Sequence, residues 1–243
     1  ERVSVSKYQN NFILKGGMLV ASIIGVNLRA TMDIDTTVKA LPLNQEDARN
    51  IIEEICSIPL EDNVTFKIIS VKEIMEEFDY PGIRMMLEAT LDHMRQPIKI
   101  DISTDDVITP RAIEYNYKLL LDDRSISLWS YNLETILAEK LQTVLARGLL
   151  NTRMRDFYDI KALLSIYEQA IDADVLKKAF EATCKKRSTE NLKEEAPKIM
   201  AAVSDDAQLH TLWKSYQKKY PYAADISYED IIESTQLLWS KIQ

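Results

Sequence analysis

The spacing of apolar and polar positions divides the chain into two parts. The first mixes strand-like runs with helices; the second is helix after helix. Phe12-Ile13-Leu14-Lys15 is a short apolar run ending in Gly16-Gly17, and Met18 to Gly25 follows as a buried helix. Met32 to Val38 alternates with period two, as a strand with one buried face does. Asn44 is placed to cap a helix over Gln45 to Ser57, with Ile51, Ile52 and Ile55 on its inner side. Val64 to Ser70 and Ile83 to Leu91 read as strands, His93 to Pro97 as a hairpin loop, and Ile98 to Ser103 as the returning strand. From Leu133 the period changes. Leu133, Leu137, Leu141 and Val144-Leu145 recur at the interval of a helix that starts near Tyr131 or Asn132. Arg155 to Glu168, Asp174 to Thr183, Ser204 to Tyr220 and Ser227 to Ile242 are four further helices. In the last, Ser227 and Asp230 have capping-box spacing.

Composition agrees with that division. Among 243 residues there are only 5 Gly and 7 Pro, which disfavours a turn-punctuated β-sandwich and favours long helices. The strongest apolar stretch, Met18 to Val26, is about half the ~20 residues of a membrane span, so no membrane partner is expected. Cys56 and Cys184 lie far apart without ligand spacing, as in a reduced cytoplasmic protein. The sequence opens on Glu1 rather than Met, so N-terminal residues are expected to be missing. The net charge of −8 argues against coating nucleic acid by bulk charge, and leaves room for a local basic groove.

The candidate chemistry lies in carboxylates on strands. Asp33 and Asp35 are two apart, so both project from one strand face while Ile34 turns to the core. Carboxylates held so close repel unless a cation lies between them, and hard divalent cations such as Mg²⁺ or Mn²⁺ suit oxygen ligands. Asp101 repeats the design: in Ile98-Lys99-Ile100-Asp101-Ile102-Ser103 the isoleucines face one side and Asp101 faces the other with Lys99 and Ser103. Three such carboxylates on neighbouring strands would suit two metals and phosphoryl or nucleotidyl transfer. Gly16-Gly17 between a strand and a helix can admit a phosphate to the backbone, although a glycine pair alone is more often a tight turn.

Lys15-Gly16-Gly17-Met18-Leu19, followed by Arg29-Ala30-Thr31-Met32-Asp33-Ile34-Asp35, resembles the first motif of the AbiEii-type nucleotidyltransferase toxins, in the DNA polymerase β-like superfamily. Lys99-Ile100-Asp101-Ile102 is similar to the strand of the family's third carboxylate. Glu139-Lys140-Leu141 and Arg153 to Asp159 resemble its third and fourth motifs. The resemblance covers roughly residues 1 to 165, and Gly16-Gly17 stands where the superfamily usually has Gly-Ser.

The resemblance implies an α/β (α+β) nucleotidyltransferase domain with a mixed sheet over 1–121, truncated at its N-terminus. An all-helical C-terminal domain over 122–243 would complete the active-site cleft. It implies Mg²⁺- or Mn²⁺-assisted transfer from an NTP. Asp33, Asp35 and Asp101 would hold metal and act in catalysis with Lys140, Asp156 and Asp159, while Lys15, Gly16, Gly17, Arg29, Thr31 and Arg155 bind nucleotide. The expected acceptor is RNA, with a tRNA 3′ end favoured. The expected outcome is blocked translation by the cytoplasmic toxin of a toxin–antitoxin or phage-defence pair, whose antitoxin need not touch it. Nucleotidylation of a protein or small molecule, and a non-catalytic Mg–NTP-binding module, are the alternative functions.

The remaining polar features carry less. His93 and His210 have no ligand-like spacing, which argues against zinc or Ser-His-Asp chemistry. Tyr216, Tyr220 and Tyr222 interleave with Lys214, Lys218 and Lys219, a mixture that suits either a packed helix surface or RNA stacking. Lys177, Lys178, Lys185, Lys186 and Arg187 form a second basic island, usually a solvated face.

Overall fold

Alternation becomes pairing in the computed structural model, which describes residues 1–29, 31–41, 44–75, 81–104, 106–120 and 122–243. Strand β1 (Phe12–Lys15) runs into helix α1 (Gly16–Ile24), followed by β2 (Asp33–Val38) and α2 (Gln45–Cys56). The next strands are β3 (Thr65–Met75), β4 (Pro81–Leu91), β5 (Met94–Thr104), β6 (Ile113–Lys118) and β7 (Ser125–Ser130). They form one sheet in the order β3-β4-β5-β2-β1-β7-β6. The sheet is mixed: β2 pairs parallel with β5 and β1 parallel with β7, the other pairs being antiparallel. Helices α3 (Leu133–Arg147), α4 (Met154–Tyr167), α5 (Ala173–Lys186), α6 (Leu192–Ser204), α7 (Ala207–Lys219) and α8 (Tyr228–Ser240) complete the chain. Among the described residues no helix is long and apolar enough to cross a membrane.

The period-two pattern fixes which sheet face is filled. Ile83, Met85 and Leu87 of β4, with Ile102 of β5, form a core with Ile51, Ile52 and Ile55 of α2. Each fully buried isoleucine contributes about 1.5–3 kcal/mol. Asn44 caps α2 as its sequence position predicts, accepting from the Asp47 amide at 2.8 Å. The residues between these core positions, including Asp33, Asp35 and Asp101, are thereby turned to the opposite face.

One local expectation is corrected, and two elements fall outside the sequence reading. The predicted loop His93 to Pro97 shrinks to a turn at Asp92-His93, because β5 already pairs from Met94 and places Arg95, Gln96 and Pro97 opposite Thr90, Ala89 and Glu88. Polar exposed residues hid this extension from a hydrophobic pattern. The hairpin β6–β7 was not foreseen for a similar reason, since Glu114, Asn116 and Lys118 are exposed on an edge strand. The predicted helix Ser204 to Tyr220 is α7, which starts three residues later: α6 ends at Ser204, and the Asp206 side chain caps α7 through the Leu209 amide at 2.7 Å. Pro197 lies inside α6, an uncommon place for proline, and that helix escaped the sequence reading.

The chain falls into two compact units: Glu1–Ile23, Ala30–Asp106 and Ala112–Tyr131 in one, and Ile24–Arg29, Val107–Arg111 and Asn132–Gln243 in the other. In the helical unit, Asn132 caps α3 through the Thr135 amide at 2.8 Å. Its side-chain amide donates to the carbonyls of Thr109 at 2.7 Å and Arg111 at 3.1 Å. In the sheet unit, one buried carboxylate oxygen ties three strand ends together. Asp106 Oδ2 accepts from Lys15 Nζ at 2.6 Å, Ser103 Oγ at 2.7 Å and the Tyr131 hydroxyl at 2.7 Å. Burial opposes ionisation of Asp106, but Lys15 and the hydroxyl donors outweigh it and hold the carboxyl below its ordinary value. A group with a lowered folded pKa stabilises the fold above its unfolded pKa and loses that contribution as pH falls through the folded value. Asp106→Asn is therefore expected to lose about 1–3 kcal/mol near neutral pH. The deficit should shrink as pH drops below about 4. Urea unfolding across that range measures it, and a deficit constant in pH would contradict the assignment.

Candidate active site

Strand register brings the three sequence-picked carboxylates onto one face. Asp33 and Asp35 lie two apart on β2, and Asp35 is paired directly with Asp101 on the parallel strand β5. Their mutual repulsion is answered from neighbouring strands. Lys99, the register partner of Asp33, places its ammonium 2.9 Å from Asp33 and 3.8 Å from Asp101. Arg84, opposite Asp101 on β4, grips both its oxygens, Nε to Oδ1 and Nη2 to Oδ2 at 2.8 Å each. The hydrogen bonds to Asp101, with the negative field of Asp33 and Asp35, raise the Arg84 pKa against a partial burial penalty. Arg84 was missed in the sequence; its signal is a lone guanidinium between the core positions Ile83 and Met85.

The glycine pair meets this row from β1. Gly16 has φ +64°, a left-handed conformation open to glycine, and a Cβ built there would stand 2.2 Å from Asp35 Oδ2. The Gly17 amide donates to the same oxygen at 3.3 Å. Thr31 Oγ1 accepts from the Asp33 amide at 3.3 Å, which fixes the start of β2. Lys15, expected at the nucleotide, is instead buried and turned onto Asp106.

Whether these groups suit a divalent cation is decided by their chemistry. Three hard oxygen donors in adjacent register positions match Mg²⁺ or Mn²⁺, and Lys99 and Arg84 already occupy the place of countercharge. As the side chains stand, no group of three His, Cys, Asp or Glu among the described residues is gathered around one point. The donor set therefore fits in kind, with its oxygens turned to basic side chains.

A second charged cluster lies within the helical unit. Asp159 on α4 is fully buried, with Arg29 Nε 2.7 Å from Oδ1 and Lys140 Nζ 2.6 Å from Oδ2. Lys140 also reaches Asp156 Oδ1 at 3.1 Å, and Arg153 Nε stands 3.7 Å from Oδ2 of that carboxylate. Burial works against the Lys140 ammonium, but the two carboxylates outweigh it and raise its pKa. Burial likewise disfavours the Asp156 carboxylate, and Lys140 and the nearby arginines more than reverse that. The cluster explains why Ile24–Arg29 travels with the helices: beside Arg29–Asp159, the Tyr158 hydroxyl donates to the Leu28 carbonyl. Arg155, at the start of α4, is exposed. Tyr216 and Tyr222 pack against Tyr158, with ring centroids 6.2 and 4.8 Å away. Of the two sequence readings of this tail, the packed surface describes these rings.

Two substitutions probe these arrangements. Gly16→Ala should displace Asp35, and a misplacement of about 1 Å at a reacting centre costs roughly 100-fold in rate. Steady-state nucleotidyl transfer is the measurement, and retained activity would contradict the close approach. Asp159→Asn leaves Arg29 and Lys140 facing a neutral amide and is expected to cost about 3–5 kcal/mol, read by chemical denaturation. A cost under 1 kcal/mol would mean that the cluster is not a structural centre.

A search of curated proteins found no match to the chain. Among solved structures, a proposed nucleotidyltransferase from Helicobacter pylori superposes with a TM-score of 0.50 at 17% identity, over 99% of this chain and 90% of that one. The crystal structure of JHP933 from Helicobacter pylori gives 0.52 at 16% identity, over 99% and 87%. At these identities the likeness is one of fold. The family model for the nucleotidyl transferase AbiEii toxins of type IV toxin–antitoxin systems matches residues 1–234, and the chain belongs to that family.

Proposed function

We propose that this nucleotidyltransferase toxin transfers a nucleotide from an NTP to the 3′ end of an RNA, with tRNA favoured, and so blocks translation. The observation that carries the reading is the row of Asp33, Asp35 and Asp101 on one sheet face, with the Gly16–Gly17 turn against Asp35. Asp33, Asp35 and Asp101 would hold Mg²⁺ or Mn²⁺, which when bound supplies Lewis-acid stabilisation of the charge developing on phosphate.

The chain's own groups divide the rest. The bond formed joins the acceptor oxygen to the α-phosphorus, and the bond broken is that to the β-phosphate oxygen, so pyrophosphate leaves. Asp101, oriented by the Arg84 fork, takes the proton from the attacking hydroxyl. Gly16 and Gly17 give the nucleotide an approach to backbone without a Cβ in the way. Thr31 keeps Asp33 in register. Lys15, the register partner of Asp35, holds the end of β1 through Asp106. Arg155, exposed at the start of α4, is a further group that would bind phosphate. Asp156 and Asp159 keep Lys140 charged and Arg29 fixed. An antitoxin controls the toxin in the type IV manner of the family, without a required contact.

Incubation with labelled NTPs, Mg²⁺ and total RNA tests the reading. Label is expected in RNA with wild type, lost in Asp33→Ala and lost on chelation by EDTA, with recovery on adding Mg²⁺. Absence of label in every pool, with wild type equal to Asp33→Ala, would sink the catalytic claim. Label in protein or a small molecule alone would move the acceptor to another class.

A further inference from the structure

The sheet face that carries the carboxylates continues past Asp101 to an open edge. Across four strands in register lie Lys72 on β3, Arg84 on β4, Asp101 on β5 and Asp35 on β2. The adjoining row is Ser70, Met86, Lys99 and Asp33. Register partners project from the same side of a sheet, so these rows share one face. The opposite face of the same strands is filled by Ile83, Met85, Leu87, Ile102 and α2. Strand β3 is the sheet edge.

The rows change character along their length. Beyond Asp101 the side chains are cationic or neutral until Glu88, which opposes Lys67 and stands 4.0 Å from Arg95. Lys67 and Lys72 are exposed and make no ion pair among the described residues. Arg84 uses Nε and Nη2 on Asp101, and its side chain is still 42% exposed, which leaves Nη1 for a further acceptor. Met86 is half-buried between them and offers an apolar surface at the size of a base.

Geometry then sets the direction of approach. The β1 side of Asp35 is taken by the glycine turn, where the NTP is placed in the reading above. An acceptor whose hydroxyl reaches Asp101 across the sheet from the other side passes over β4 and β3. A chain of phosphodiesters ending in a hydroxyl meets cations there, in a protein whose overall charge of −8 would otherwise repel it. An open sheet face with basic and apolar positions is also how single-stranded RNA is held in other folds.

We infer that the β3–β4 face, through Lys67, Lys72 and Arg84, is the track on which the single-stranded end of an RNA acceptor lies as its hydroxyl is brought to Asp101. This rests on the reading of the chain as an RNA-directed nucleotidyltransferase, and it adds the surface that receives the acceptor.

The test is the affinity of the full chain for a fluorescent single-stranded RNA oligonucleotide, by anisotropy at several salt concentrations, for wild type and Lys67→Glu/Lys72→Glu. The double variant is expected to bind at least tenfold more weakly. Its plot of log affinity against log salt should be shallower by about 1.4, the loss of two phosphate contacts on a single strand. Equal affinity and slope in the two proteins, or no RNA binding by wild type, overturns the track. Displacement of the RNA by polyglutamate at equal charge concentration would overturn the assignment to nucleic acid in favour of an acidic polypeptide. Label transfer separates this from the underlying reading. Transfer to RNA with unchanged affinity in the variant removes the track and keeps the activity. Lysine-dependent RNA binding without transfer keeps the track and removes the activity.

Discussion

Repulsion among Asp33, Asp35 and Asp101 is the constraint around which the sheet unit is arranged. Three like charges in adjacent register positions would not persist on one face without compensation, and the compensation comes from set places. Lys99 is the pairing partner of Asp33, Arg84 the pairing partner of Asp101, and the Gly17 amide meets Asp35 from the start of α1. Each countercharge is delivered by backbone register rather than by a flexible loop. The Arg84 fork in particular fixes the plane of the Asp101 carboxylate as a point charge on lysine would not. Behind this face, the apolar residues of β4, β5 and α2 hold the register in place, because a slip of one position would drive Asp101 into the core.

The helical unit solves a related problem by burial. Asp159 is inaccessible to water and sits between two cations, Arg29 and Lys140. Buried pairs of this kind add little net stability against an apolar replacement, but removing one member is costly. The cluster thus acts as a latch for the segment that carries Arg29, and keeps the Lys140 ammonium charged in an environment that would otherwise favour its neutral form.

Much of this was legible in the residues. The i, i+2 aspartates, the apolar alternation of Ile98 to Ser103 and the caps at Asn44, Asn132 and Ser227 are short-range signals, and each became the element it predicted. What escaped was long-range or polar. Pairing of Arg84 with Asp101 depends on a hairpin register that no local window contains. Asp106 looked like one acidic residue among several, and only the convergence of Lys15, Ser103 and Tyr131 from three strand ends gives it a role. The turns of Lys140 and Lys15 toward buried carboxylates were likewise invisible, because charge in a sequence carries no sign of which way it faces.

The division of the chain into units has a consequence for its modularity. The backbone passes between the two units five times, at 23/24, 29/30, 106/107, 111/112 and 131/132. The two short excursions supply groups that the helices need: Arg29 for Asp159, and the Thr109 and Arg111 carbonyls for Asn132. A fragment beginning at Asn132 would keep every helix from α3 onward and still lack both. The helical part is therefore no portable module that gene fusion could graft or a protease could release intact. The helical unit is complete only when both excursions are kept.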